Sequence, residues 1–159
     1  MTRIAISGHR DLSTAVENLV DHAIRDELSR FDPSELVGLS CLADGADQIF
    51  ARAVVDLGGK LEIFVPASHY RESLPSQALD EYDELMSYAV KVHNLDHVDS
   101  TSESHMEASV QMLQHADLLF AVWDGLPARG FGGTADVVAH AEAIGVMVTV
   151  IWPDGAVRD

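Results

Sequence analysis

Leu118-Leu119-Phe120-Ala121-Val122-Trp123-Asp124-Gly125-Leu126-Pro127-Ala128-Arg129-Gly130-Phe131-Gly132-Gly133-Thr134-Ala135-Asp136 shows in one stretch how the chain is built. Leu118–Trp123 reads as a strand, and the glycine-rich segment after it feeds a helix over Ala135–Ile144. Gly132 and Gly133 leave backbone amides exposed, and Thr134 adds a hydroxyl at the helix start, so the loop is an anion cradle. It is not a Walker-type loop, because no Lys-Ser or Lys-Thr follows the glycines.

Strand and helix alternate outward from this stretch. Arg3–Ser7 reads as the first strand, followed by a helix opened by a Thr14/Glu17 capping box, with Val16, Leu19, Val20, Ala23, Ile24 and Leu28 at helical spacing. Leu36–Leu42 is a near-continuous apolar run, as in a parallel strand covered on both faces. A second helix begins near Asp44 and stops at Gly58-Gly59. Leu61–Val65 is a third strand. A helix over Ser76–Ala89, a strand at Val90–His93 and a helix opened by a Ser104/Glu107 capping box follow, and Val146–Ile151 closes the series. This alternation predicts an α/β fold: a single Rossmann-like three-layer domain over residues 1–159 with a mostly parallel six-stranded sheet. In such sheets ligands bind outside the carboxyl ends of the strands, where the winding reverses.

The formal net charge is −16, from 26 acidic and 10 basic residues. That balance argues against nucleic acid and anionic membrane as partners, since phosphates require a basic patch. The longest apolar stretch, Ile144–Trp152, is strand-sized, well short of the ~18 residues of a span. The first residues already read as a strand, not a leader, and the single cysteine, Cys41, suits a reducing cytoplasm. No metal or cofactor site is read: His93 and His97 straddle a strand end, and the histidines lack companions at ligand spacing.

Three strand-end loops carry the candidate site. In the first, Gly8 lets a ligand approach the backbone, Arg10 forks onto a phosphate or carboxylate, and His9 donates a hydrogen bond or serves as acid or base. In the second, Asp44-Gly45-Ala46-Asp47 leads into a helix. Asp44 most simply caps it, Gly45 allows close approach, and Asp47 pairs with Arg10 or His9 or binds a ribose hydroxyl. The third is the cradle of Gly132, Gly133 and Thr134, with Arg129 in the loop before it. Arg71 follows another strand end and joins the ligand-binding set.

Together the loops resemble the SLOG superfamily, the Rossmann-like group that includes the DNA-processing protein of natural competence and the Lonely Guy phosphoribohydrolases. Gly8-His9-Arg10 and Gly45-Ala46-Asp47 match its small stand-alone bacterial members. The stretch Ala116–Thr134 is similar to Lonely Guy proteins and to nucleoside deoxyribosyltransferases. The resemblance implies a nucleotide or nucleotide-derived ligand, and it leaves a homodimer open by analogy. It also shows departures. In the phosphoribohydrolase motif Pro-Gly-Gly-x-Gly-Thr-x-x-Glu, this chain has Arg129 for Pro, Phe131 for the second Gly and Val137 for the terminal Glu. A valine cannot act on a sugar as acid, base or nucleophile. The leading expectation is therefore a sensor or carrier that binds a phosphate-bearing small molecule. The alternative is an N-glycosidic-bond hydrolase or transferase using Asp136 or Asp124 as carboxylate, with His9 as helper.

Overall fold

The near-continuous apolar runs become the middle of the sheet. Ile4, Ala5, Leu39, Leu119 and Ala121 are fully excluded from solvent, because helices cover both faces of the central strands. The computed structural model describes residues 1–128 and 130–158. The strands are Thr2–Gly8 (β1), Leu36–Ser40 (β2), Lys60–Val65 (β3), Ala89–Asn94 (β4), Leu118–Val122 (β5) and Met147–Ile151 (β6). Their order is β4-β3-β2-β1-β5-β6, and every neighbouring pair is parallel. The α/β three-layer expectation therefore holds. At the edges, β4 and β6 expose Val90, Val92, Met147 and Val150.

The helices are Thr14–Leu28 (α1), Ala46–Asp56 (α2), Tyr70–Ser73 (α3), Leu79–Ser87 (α4), Ser102–Gln114 (α5) and Thr134–Ala143 (α6). Helix α2 packs on both α1 and α4, while α5 packs on α6. None of the described helices is long and apolar enough to cross a membrane. The chain steps outward from β1 to β4, then returns to the other side of β1 for β5 and β6. The winding thus reverses between β1 and β5, whose carboxyl ends meet at Gly8 and Val122.

Some local expectations shift. Helix α1 is capped by Ser13, whose hydroxyl accepts the Val16 N–H, and not by Thr14. The capping box of α5 is Thr101 with Ser104, one helical turn ahead of Ser104 with Glu107. The segment read as one helix over Ser76–Ala89 begins as a 3₁₀ turn at Ser76–Ala78 before α4. At the amino end of the sheet, Arg3 forks onto Glu62 at 2.9 and 3.0 Å, and His93 reaches the same carboxylate at 2.9 Å. That pairing with Arg3 first, and His93 after it, holds Glu62 down at about 2 despite its burial.

Candidate functional site

Gly8 ends β1 under the start of α2. A Cβ there would stand 2.4 Å from Ala46 Cβ and 2.8 Å from Val122 Cβ. The glycine therefore admits the protein's own helix, and ligand approach is not what requires it. Gly45 has φ +85° and a Cβ there would lie 2.6 Å from the His9 carbonyl oxygen, so the two loops are pressed together. The Ala46 N–H donates to that oxygen at 3.3 Å. Gly45, not Asp44, is the N-cap of α2. Asp44 instead holds the first loop: Oδ1 takes Arg10 Nε and Nη2 at 2.8 and 2.7 Å, and Oδ2 accepts the Asp11 N–H at 3.1 Å.

These contacts set one wall of a crevice of about 300 Å³ at the carboxyl ends of β1 and β5, at the small end of the range for ligand pockets. Of the residues singled out in the sequence, Gly8, His9, Arg10, Asp47, Gly132, Gly133 and Thr134 line it. Asp44, Gly45, Arg71, Asp124 and Asp136 do not. Arg71 is drawn away onto exposed Asp83 at 2.8 and 2.6 Å. Asp136 turns back on its own loop and accepts the Gly132 N–H at 2.9 Å, and Val137 beside it is buried. Arg129 lies outside the described residues.

Asp124 is a hub behind the crevice wall. Its Oδ1 accepts the Leu126 N–H at 3.0 Å and lies 3.3 Å from His9 Nε2, and Oδ2 is 3.8 Å from Arg158 Nη1. Desolvation opposes its charge, but the Leu126 N–H, His9 and Arg158 together hold the carboxyl below its usual value. His9 is buried; its Nε2 lies 3.2 Å from the Asp124 backbone nitrogen, and its ring meets Trp152 edge-on at 5.4 Å. This packing fixes the ring where it lines the crevice.

The crevice lining was only partly legible in the sequence. The rest of the lining includes Cys41, Asp47, Tyr70, His105 and Met112. Tyr70 is buried with its ring edge-on to His105 at 5.4 Å, and the Ser100 hydroxyl lies 2.6 Å from His105 Nε2. Burial, and then Arg10, hold His105 below its usual value. Burial pushes the Asp47 carboxyl up to about 7, against the pull of Arg10 and a hydrogen bond from the Ala43 backbone. Leu42, two residues past β2, has φ +57°, uncommon for a bulky residue. Its carbonyl accepts Gln48 Nε2 at 3.1 Å, which also donates to the Ala78 carbonyl. That clamp holds Cys41 and Ala43 at the crevice. Arg158 lines it too, and nothing in the local sequence marked it, because the segment after β6 has no periodicity. Arginines and histidines thus gather at one crevice of a strongly acidic chain. Among the described residues no three His, Cys, Asp or Glu side chains converge as a metal site requires.

No protein-family profile matches the chain, and no curated protein matches its sequence. Solved structures do resemble it. DNA processing protein A of Helicobacter pylori, which binds single-stranded DNA, superposes with a TM-score of 0.70 at 15% identity, over 98% of this chain and 67% of that one. DNA processing protein A of Streptococcus pneumoniae gives 0.69 at 18% identity over 100% of this chain; the chain spans about half, 52%, of that protein. The molybdenum cofactor binding protein of Rippkaea orientalis gives 0.62 at 13% identity, over 96% and 77% of the two chains. The chain thus shares the Rossmann-like α/β fold of these proteins. One expectation is corrected here. Acidic net charge was read as excluding nucleic acid, yet this fold carries single-stranded DNA binding in the Helicobacter protein. Total charge sums over the whole surface, whereas a binding site depends on the local field of a few residues.

Proposed function

We propose that the protein binds a nucleotide or nucleotide-derived, phosphate-bearing small molecule in this crevice, as a sensor or carrier. The observation that carries the reading is the meeting of the α6 amino terminus with Arg10 and Arg158 at the winding reversal of a chain with net charge −16. The Gly133 and Thr134 amides and the helix dipole favour an anion there. Arg10 adds donors from the mouth, since Asp44 occupies only part of its fork. The molybdenum cofactor binding and carrier proteins of the same fold support the carrier side of the reading.

The hydrolase or transferase alternative has weaker support. Asp136 is engaged with the Gly132 N–H, Asp124 with Leu126, His9 and Arg158, and neither lines the crevice. The test is calorimetric titration with AMP and GMP against adenosine and guanosine, with a single-stranded oligonucleotide in the same panel. Nucleotides are expected to bind at least about tenfold more tightly than their nucleosides, the effect of one to two charge-assisted hydrogen bonds. Equal affinities within each pair overturn the phosphate-centred reading. Tighter binding of the oligonucleotide than of either nucleotide overturns the small-molecule reading.

A further inference from the structure

Asp47 differs from the other acidic residues near the crevice. Asp44 holds Arg10, Asp124 holds Arg158 and His9, and Asp136 holds the Gly132 amide. Asp47 lines the cavity, yet no described cation lies within 4.0 Å of its carboxylate. The groups around it offer little positive charge. From the end of β2 comes Cys41, a buried thiol that burial pushes further up; from α3 comes Tyr70, buried and likewise pushed up. From the loop after β1 comes Arg10, already shared with Asp44, whose own charge opposes ionisation of Asp47. From α5, His105 contributes through its contact with Tyr70 and is held low. His9 lines the same crevice from the loop after β1 as well.

An anion entering this cavity of about 300 Å³ would share it with an ionised Asp47, and like charges at close quarters are costly. A protonated Asp47 removes that repulsion and supplies a donor. We infer that Asp47 meets the bound anion as a neutral carboxylic acid, donating a hydrogen bond to an anionic oxygen that Arg10 also holds, so that the crevice takes up one proton from solvent as it takes up the anion. This inference rests on the anion-binding reading above, and it names a specificity-determining residue within that site. It favours ligands presenting an unprotonated phosphate- or sulfate-type oxygen beside Arg10. The position of the Asp47 carboxyl at about 7 makes the proton available in the neutral range.

The experiment follows the Asp47 side-chain carboxyl carbon by NMR from about pH 5 to 9, assigned with Asp47→Asn, with and without sodium sulfate. Sulfate stays a dianion throughout, so any proton taken up goes to the protein. The expected result is a midpoint near 7 that moves up by about one unit or more on sulfate saturation, with sulfate affinity falling up to about tenfold per pH unit above the free-protein midpoint. Asp47→Asn keeps a donor and is expected to bind sulfate without that dependence. A midpoint in the ordinary carboxylate range overturns the inference. So does a midpoint that stays put while the Gly133 and Thr134 amides respond to sulfate, and in that case the anion site itself survives. If those amides respond to neither sulfate nor AMP, the anion-binding reading falls and this inference with it.

Discussion

A methyl group on Gly8 would stand 2.4 Å from Ala46 Cβ, a distance that only a shift of β1 against α2 can relieve. Gly8→Ala is therefore expected to destabilise the protein by about 1–3 kcal/mol, the usual cost of overpacking. Gly130→Ala, where an added Cβ meets nothing within 4 Å, is expected to stay within about 0.5 kcal/mol. Urea unfolding of the two variants checks this, and equal stabilities would show that β1 and α2 separate without cost. Arg10 has two separable roles. Arg10→Ala is expected to weaken AMP binding by about 1–3 kcal/mol in calorimetry, and to raise the Asp47 midpoint in NMR, because Arg10 is the charge that pulls it down. An unchanged midpoint would place Arg10 outside the field of Asp47. Glycine and arginine at a strand end were visible in the sequence, but the reason for the glycine was not. Gly8 sits where a ligand approach and a helix approach leave the same trace in composition, and only the position of Ala46 tells them apart. The buried Gln48–Leu42 clamp was hidden in the same way, since it depends on a left-handed φ at a residue that rarely adopts one.

At the level of elements, the strands were the legible part. Parallel strands covered on both faces leave near-continuous apolar runs, and Leu36–Leu42 and Leu118–Trp123 could hardly be read otherwise. Helix starts were less legible because the polar segments ahead of them hold several residues able to cap. Ser13 and Thr14 stand side by side, and the run Ser100-Thr101-Ser102-Glu103-Ser104 offers a hydroxyl at four of five positions. Which one caps is decided by where the preceding loop leaves the strand, and sequence spacing does not contain that. Ser13→Ala is accordingly expected to cost about 1 kcal/mol of stability, and Thr14→Ala no more than about half of that, as measured by thermal or urea unfolding. The reverse order would return the cap to Thr14. The glycine-rich loop before α6 was legible as a strand-to-helix turn at the crevice, whereas the hydrogen bond Asp136 makes within it was not. A carboxylate one residue from the position where a reacting glutamate stands in phosphoribohydrolases invites a catalytic reading. The structure turns it onto the Gly132 amide, which makes it part of the loop's scaffold.

On the scale of the whole molecule, the net charge of −16 was the most visible number in the sequence and the one that misled, since it does not report where the few cations collect. It does bear on stability. Self-repulsion among surface carboxylates relaxes as they protonate, and it is screened by salt. Glu62 and Asp47 add to this in definite directions. Glu62 is held at about 2 in the folded chain against a usual 4.5, so its stabilisation is complete above about 4.5 and is lost as pH falls through about 2. Asp47 is raised to about 7 from a usual 3.8, so the folded chain binds that proton more tightly than the unfolded one does. Its contribution is neutral below 3.8, becomes a growing cost between 3.8 and about 7, and is a constant cost above. Asp47 thus lowers stability as pH rises towards the neutral range, whereas Glu62, and His105 held below its usual value, lower it as pH falls. The decisive comparison is thermal unfolding of native protein and Asp47→Asn from about pH 4 to 9, at low and at about 0.5 M salt. Asp47→Asn is expected to melt several degrees higher than the native chain at about pH 8.5 and to match it at about pH 4. Because the Asp47 cost arises from burial and not from distant surface charge, the difference at high pH is expected to persist in high salt, while the common alkaline decline of both proteins shrinks. A gain of the same size at both pH values would mean that the amide simply packs better there, and that Asp47 does not titrate near neutrality in the folded protein.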